Sequence, residues 1–147
     1  MKISISKEIS KPAETVFQWI EEPEKAMEWQ QNVKAAESLA NKPEVIGTTF
    51  KETIEEGGKS LEMYGTVTKY VKDKLIGFHL ISKIHEVDVC YYLNEFHGGT
   101  KVLVESSINW KFPMNIIRLL IGKKIEKGIV NQLESELLEL KQICETY

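Results

Sequence analysis

From Phe112 to Tyr147 the chain carries one proline, Pro113, at the head of the run and none after it, which predicts a single long helix. At ~1.5 Å per residue it would span roughly 45–50 Å, more than a small domain needs to close its core. Steps of ~100° gather Leu119, Gly122, Glu126, Ile129, Leu133, Leu137, Leu140 and Cys144 on one stripe. Lys123, Lys124, Lys127, Asn131, Glu134, Lys141, Gln142 and Glu145 fall opposite. The rear of the stripe is Ile/Leu packing surface, whereas Gly122 and Glu126 stand at the front where large apolar side chains belong. Strands are therefore expected to wrap around this helix, with a pocket beneath its thinner front half.

The rest of the chain supplies those strands. Ile3, Ile5 and Ile9 alternate with serines as an edge strand does. Pro12 then fits the start of a short helix carrying Ala13, Val16, Phe17 and Ile20 on one face, and Pro23 restarts a second from Glu24 to about Gln30. Segments 33–40, 47–56, 60–71, 75–83, 86–96 and 99–110 alternate or are rich in β-branched residues. They are separated by breaks at Asn41-Lys42-Pro43, Glu56-Gly57-Gly58, Lys72-Asp73-Lys74 and His97-Gly98-Gly99. Seven antiparallel strands curl, and one face must be covered. The C-terminal helix is the one element long enough to do it, with the two short helices closing an end. The fold class expected is α+β, a helix-grip arrangement in one domain over residues 1–147, with no repeat or linker inside it.

Composition narrows the partners. A net charge of −3 argues against nucleic acid, because the basic cluster of Arg118, Lys123, Lys124 and Lys127 is outweighed elsewhere. Cys90 and Cys144 are the only cysteines, so they form no disulfide framework or metal knuckle and read as buried free thiols. The alternating start lacks a signal peptide's apolar block, and no run approaches the ~20 apolar residues of a membrane span. A cytoplasmic location is the expectation.

Several short stretches carry a resemblance: Ile9-Ser10-Lys11-Pro12-Ala13-Glu14-Thr15-Val16-Phe17, Trp29, Val33 and Val45-Ile46-Gly47-Thr48-Thr49-Phe50. Gly65-Thr66-Val67-Thr68, Gly98-Gly99-Thr100-Lys101-Val102 and the segment from Leu133 to Lys141 complete it. On these the chain resembles the helix-grip superfamily of START lipid-transfer domains, Bet v 1 plant allergens and bacterial polyketide cyclase/dehydrase-like proteins, most closely the last. The motifs are turns and packing positions, spread over nearly the whole chain, and specify no chemistry. The resemblance implies an apolar cavity between sheet and long helix.

The strand pattern puts Phe50, Ile54, Leu61, Met63, Phe78, Leu80, Tyr91, Leu93, Val102, Val104 and Ile108 on the inner face, with Tyr64, Thr66, His79 and Tyr92 outside. An empty ~300 Å³ void would forfeit about 7 kcal/mol, comparable to the ~5–15 kcal/mol stability of a domain. Either large side chains fill the interior or an occupant restores the contacts. The candidate ligand-binding residues are Trp29, Phe50, Met63, Phe78, Leu80, Tyr91, Val104, Ser106, Gly122, Glu126 and Ile129. Among these Glu126 would be a partly buried polar handle, with a rim position beside Lys123 or Lys127 as its plainer reading. Gly122 would make space or mark a kink. His79, His85 and His97 are widely spread and show no metal spacing, and GxSxG, P-loop and HExxH motifs are missing, so neither a metal nor a cofactor is expected.

Three functions follow. The first is binding, transport or sequestration of a small apolar or amphipathic molecule. The second is a polyketide cyclase- or dehydratase-like enzyme, which an inward acid/base pair would favour. The third is a protein-interaction module, which a filled core with a broad exposed apolar patch would favour. The apolar helix opening, Met114 to Ile121, could be covered by the short helices and loops, could join two copies as a homodimer, or could rest on a membrane surface with Arg118, Lys123 and Lys124 against lipid head groups.

Overall fold

Alternation of apolar and polar residues sets the sheet, and the chain's route from one sheet edge to the other sets what covers it. The computed structural model describes residues 1–40, 43–56 and 58–147. The elements are β1 (Lys2–Ile9), α1 (Ala13–Glu21), α2 (Pro23–Ala26), β2 (Val33–Ala40), β3 (Thr49–Glu56), β4 (Lys59–Val71), β5 (Leu75–Ile81), β6 (His85–Phe96), β7 (Gly99–Trp110) and α3 (Met114–Thr146). Strand ends lie within two residues of those expected. Asn41, Lys42 and Gly57, in two of the expected breaks, lie outside the described residues. The other two breaks are tight turns in which Asp73 (φ 62°) and Gly98 (φ 99°) take left-handed backbone, which glycine adopts without strain.

The sheet order is β1-β7-β6-β5-β4-β3-β2, antiparallel throughout, so β1 and β2 are its two edges. The chain crosses from one edge to the other through α1 and α2, which carries both helices over the inner face. Glu95 of β6 accepts the Ala13 N–H at 3.1 Å, satisfying an otherwise orphaned donor at the start of α1. The expected inner face of α1 is buried in full: Ala13, Val16, Phe17 and Ile20. α2 is shorter than expected and ends at Ala26. The chain then turns, and Trp29 swings inward, 1% exposed, its indole N–H donating to the Trp19 carbonyl at 2.7 Å. That carbonyl is among the last four of α1, so the indole also closes that helix.

α3 lies chiefly along β1, and also touches α1 and β7. Leu137, Leu140 and Cys144 join the main core with Ile9, Phe17, Trp29 and Ile76, while Ile129, Val130 and Leu133 pack on a second cluster of Ile3, Val87 and Ile108. Lys141 is tied to Glu145 at 2.6 Å and to the Glu8 carbonyl at 3.1 Å, and Glu145 accepts the Ser10 N–H at 2.8 Å, fixing the helix end to the end of β1.

The front of α3 carries the kink that Gly122 could mark, but departs from expectation in what it buries. Ile121 has non-helical backbone (φ −130°, ψ 24°), so the helix bends beside Gly122. A β-branched residue next to a helix-interior glycine is a weak point in a helix, and the bend resets its phase. Leu119 and Glu126, expected to face inward, are both exposed. Nor do the short helices cover the opening: Ile116, Ile117, Leu119, Leu120 and Ile121 are all exposed, Leu120 at 83%. Among the described residues no helix is long and apolar enough to cross a membrane.

Candidate functional site

The sheet curls away from α1 and α2 between β2 and β6, and leaves a cavity of about 410 Å³ there. Ile20, Glu21, Pro23, Ala26 and Met27 form its roof; Phe50, Glu52, Val67, Ile76, Phe78, Leu80, Val89 and Tyr91 form its floor. Exposed Pro23, Ser38 and Val45 lie at its mouth. No α3 residue is among those lining it, which corrects the expectation of a pocket beneath the front of the long helix. The reason is topological: α3 is seated at the β1–β7 side, so the space at the other side is roofed by the crossing helices.

Aromatic rings shape the floor. Phe50 and Phe78 meet edge to face at 5.7 Å, Phe78 and Tyr91 at 6.4 Å, and Trp29 backs Tyr91 at 6.1 Å. Gly65, opposite Phe50 across β3–β4, is what lets that ring lie down on the sheet. A Cβ there would sit 2.2 Å from the ring.

A short polar array interrupts this apolar surface. Glu52 shares a strand face with Phe50, is half-buried, and lines the cavity. Burial lifts its carboxyl to about 7. Glu136 of α3 is 7% exposed, accepts the Gln31 N–H at 3.2 Å and lies 3.5 Å from the Gln132 amide. Burial raises it too, to about 7, against the lowering effect of those two donors, and the nearby Glu52 charge adds to the rise. Tyr91 feels both carboxyls: burial, then Glu136, then Glu52 drive its hydroxyl far above the ordinary phenol range, with Gln30 in hydrogen-bonding reach. At neutral pH the array is therefore a phenol O–H and two carboxyls poised between acid and base; Glu52 and Tyr91 line the cavity and can donate to, accept from, or ion-pair with a bound molecule, while Glu136 stands behind them.

The expected binding residues divide. Phe50, Phe78, Leu80 and Tyr91 line the cavity, and Trp29 stands behind Tyr91. Met63, Val104 and Ser106 are buried but are not among the lining residues, and Ile129 packs on the second cluster. Gly122 sits beside the bend and Glu126 is exposed, so neither reaches the cavity. Glu52 and Glu136 were not anticipated. Glu52 follows Phe50 and precedes Ile54 in strict alternation, and Glu136 stands three residues after Leu133 and four before Leu140, so each acid occupies an inward position of its own element. Both cysteines are buried and free, and burial raises the Cys144 thiol to about 12, leaving it unreactive. Among the described residues no three His, Cys, Asp or Glu side chains gather to hold a metal.

No family model and no curated protein matches the chain in sequence. Solved structures do match in shape. The protein TTHA0849 from Thermus thermophilus superposes with a TM-score of 0.84 at 16% identity, covering 99% of this chain and 98% of its own. The di-domain ARO/CYC protein StfQ of the steffimycin biosynthetic pathway gives 0.81 at 11%, covering 99% of this chain and 50% of that one. Ara h 8.0201 gives 0.75 at 13%, covering 100% of this chain and 99% of its own. At such identities the likeness establishes the fold alone, a helix-grip fold shared with these structures.

Proposed function

We propose that this helix-grip protein binds a small amphipathic molecule in the cavity roofed by α1 and α2. The observation that carries the reading is a 410 Å³ aromatic-floored space in which Glu52 and Tyr91 are the polar groups of the floor. Burial of a ligand's apolar body at ~25 cal/mol per Å² supplies the affinity, and those two groups fix its orientation. Phe50, Phe78, Leu80 and Tyr91 carry the contacts, with Trp29 holding Tyr91 in place. The test is displacement of a solvatochromic dye from the purified protein by amphipathic competitors. Dye that binds and is displaced supports the reading; dye that does not bind the wild type removes it.

A reaction on the bound molecule is the second reading, favoured by the inward pair of Glu52 and Tyr91, and StfQ shares the fold. A filled-core interaction module is disfavoured by the open cavity.

The exposed helix opening supports one further property: contact with an anionic bilayer. Phe112, Ile116, Ile117, Leu119, Leu120 and Ile121 are exposed together. Between residues 111 and 127 the cations Lys111, Arg118, Lys123, Lys124 and Lys127 face a single acid, Glu126, in a chain whose net charge is −3. An apolar tip with a basic collar suits lipid tails beneath anionic head groups. Co-sedimentation with phosphatidylserine vesicles, lost in Leu119→Asp/Leu120→Asp, is expected. Equal sedimentation of the variant, or a stable dimer that buries the patch, would overturn it.

A further inference from the structure

Resting on the binding reading above, we infer that the occupant of this cavity is an organic cation, a protonated amine on an apolar body, held against Glu52 and the aromatic floor.

The sign of the lining carries the inference. Among the described residues that line the cavity, the charged side chains are Glu21, Glu37 and Glu52, with no Lys, Arg or His. Their surroundings differ. Glu21, on α1, takes a hydrogen bond from the Tyr70 hydroxyl. Glu37, on β2, is exposed at the solvent side and stands opposite Lys51 in the β2–β3 register, while the Lys51 ammonium itself pairs with Glu62 at 3.1 Å. Glu52 has no cation opposite it among the described lining residues. From β6 it faces the Tyr91 phenol and from α3 the Glu136 carboxyl, one neutral and one acidic. A carboxyl held in such a place is disfavoured as an anion until a positive charge enters beside it. The lining supplies none, so a cationic ligand gains an interaction that a neutral or anionic ligand of the same shape does not.

The floor points the same way. Phe50, Phe78 and Tyr91 present aromatic rings to the space, and ring faces attract a desolvated cation. A carboxylate ligand would meet only like charge. An uncharged alcohol would fill the apolar volume and hydrogen-bond to Glu52 or Tyr91 without supplying the half-buried acid with a counter-charge.

The experiment compares decylamine, decanol and decanoate, three probes of one apolar body and three charges, by competition against a solvatochromic dye and by calorimetry. Decylamine is expected to bind about tenfold tighter than decanol, a difference of about 1.4 kcal/mol, with decanoate weakest. Its affinity should rise from about pH 6 to about pH 8 as Glu52 ionises, while that of decanol stays flat. Glu52→Gln, which keeps the shape and removes the charge, should abolish both the preference and the pH dependence while decanol still binds. Equal binding of decanol and decylamine, or an amine preference that survives Glu52→Gln, overturns the cation assignment and leaves the binding reading standing. Failure of all three probes and of the dye overturns both.

Discussion

Glu52 and Glu136 place a sign on the protein's response to pH. Burial holds both carboxyls near 7 in the fold, against about 4.3 in an unfolded chain. A carboxyl raised in this way contributes stability that is fully present below the unfolded value and is lost as pH climbs through the folded one. Glu145 runs the other way, lowered by Lys141 and the Ser10 N–H, and its contribution is present above the unfolded carboxyl value. The ligand-free protein should therefore lose thermal stability between about pH 5 and about pH 8, and Glu52→Gln/Glu136→Gln should flatten that slope in melts read by circular dichroism. A flat wild-type profile would show the two acids to be better solvated than their positions indicate. Gly65 offers a second handle. A methyl at that position would lie 2.2 Å from the Phe50 ring, so the ring, which lines the cavity, must move. Gly65→Ala should fold, with a loss of roughly 1–3 kcal/mol, and weaken ligand binding several-fold. Unchanged affinity would mean that the ring finds another place to go.

α3 behaves as two pieces with different work. Its rear half is core: Leu140 is fully buried, so Leu140→Ala should cost about 2–5 kcal/mol in urea unfolding. Its front is not, and Leu120→Ala should stay within about 0.5 kcal/mol, although leucine is large and apolar at both positions. Comparable losses at the two sites would place a packed layer over the helix opening. Much of this level could be read from residue order. β-Strand bounds followed from alternation, the buried face of α1 from its four apolar positions, and the rear stripe of α3 from helical spacing. The bend was half legible: Gly122 reads either as a space-maker or as a kink, and residue order does not choose between the two. Once Ile121 leaves helical geometry, a helical wheel carried back through it no longer places Leu119 reliably on the face of the rear stripe.

For the molecule as a whole, topology decides where the binding space can be. With β1 and β2 at opposite edges, the short helices must cross the sheet, and the gap lies beneath them rather than beneath α3. Residue order alone does not give the height at which two short helices ride over a curled sheet, so the cavity's position was not legible. Half of its floor was, through Phe50, Phe78, Leu80 and Tyr91. Glu52 was within reach, since it alternates with Phe50 and Ile54, but an acid in an apolar run reads as surface until a neighbouring strand closes over it. The bend and the exposed basic tip carry the proposed bilayer contact, and the acidic cavity carries the proposed binding of an amphipathic molecule. The most direct measurement is a native mass spectrum of the protein as purified and after incubation with decylamine. A one-to-one complex that disappears on denaturation, and is weakened in Glu52→Gln and Gly65→Ala, is predicted; the bare chain mass under both conditions would contradict the account.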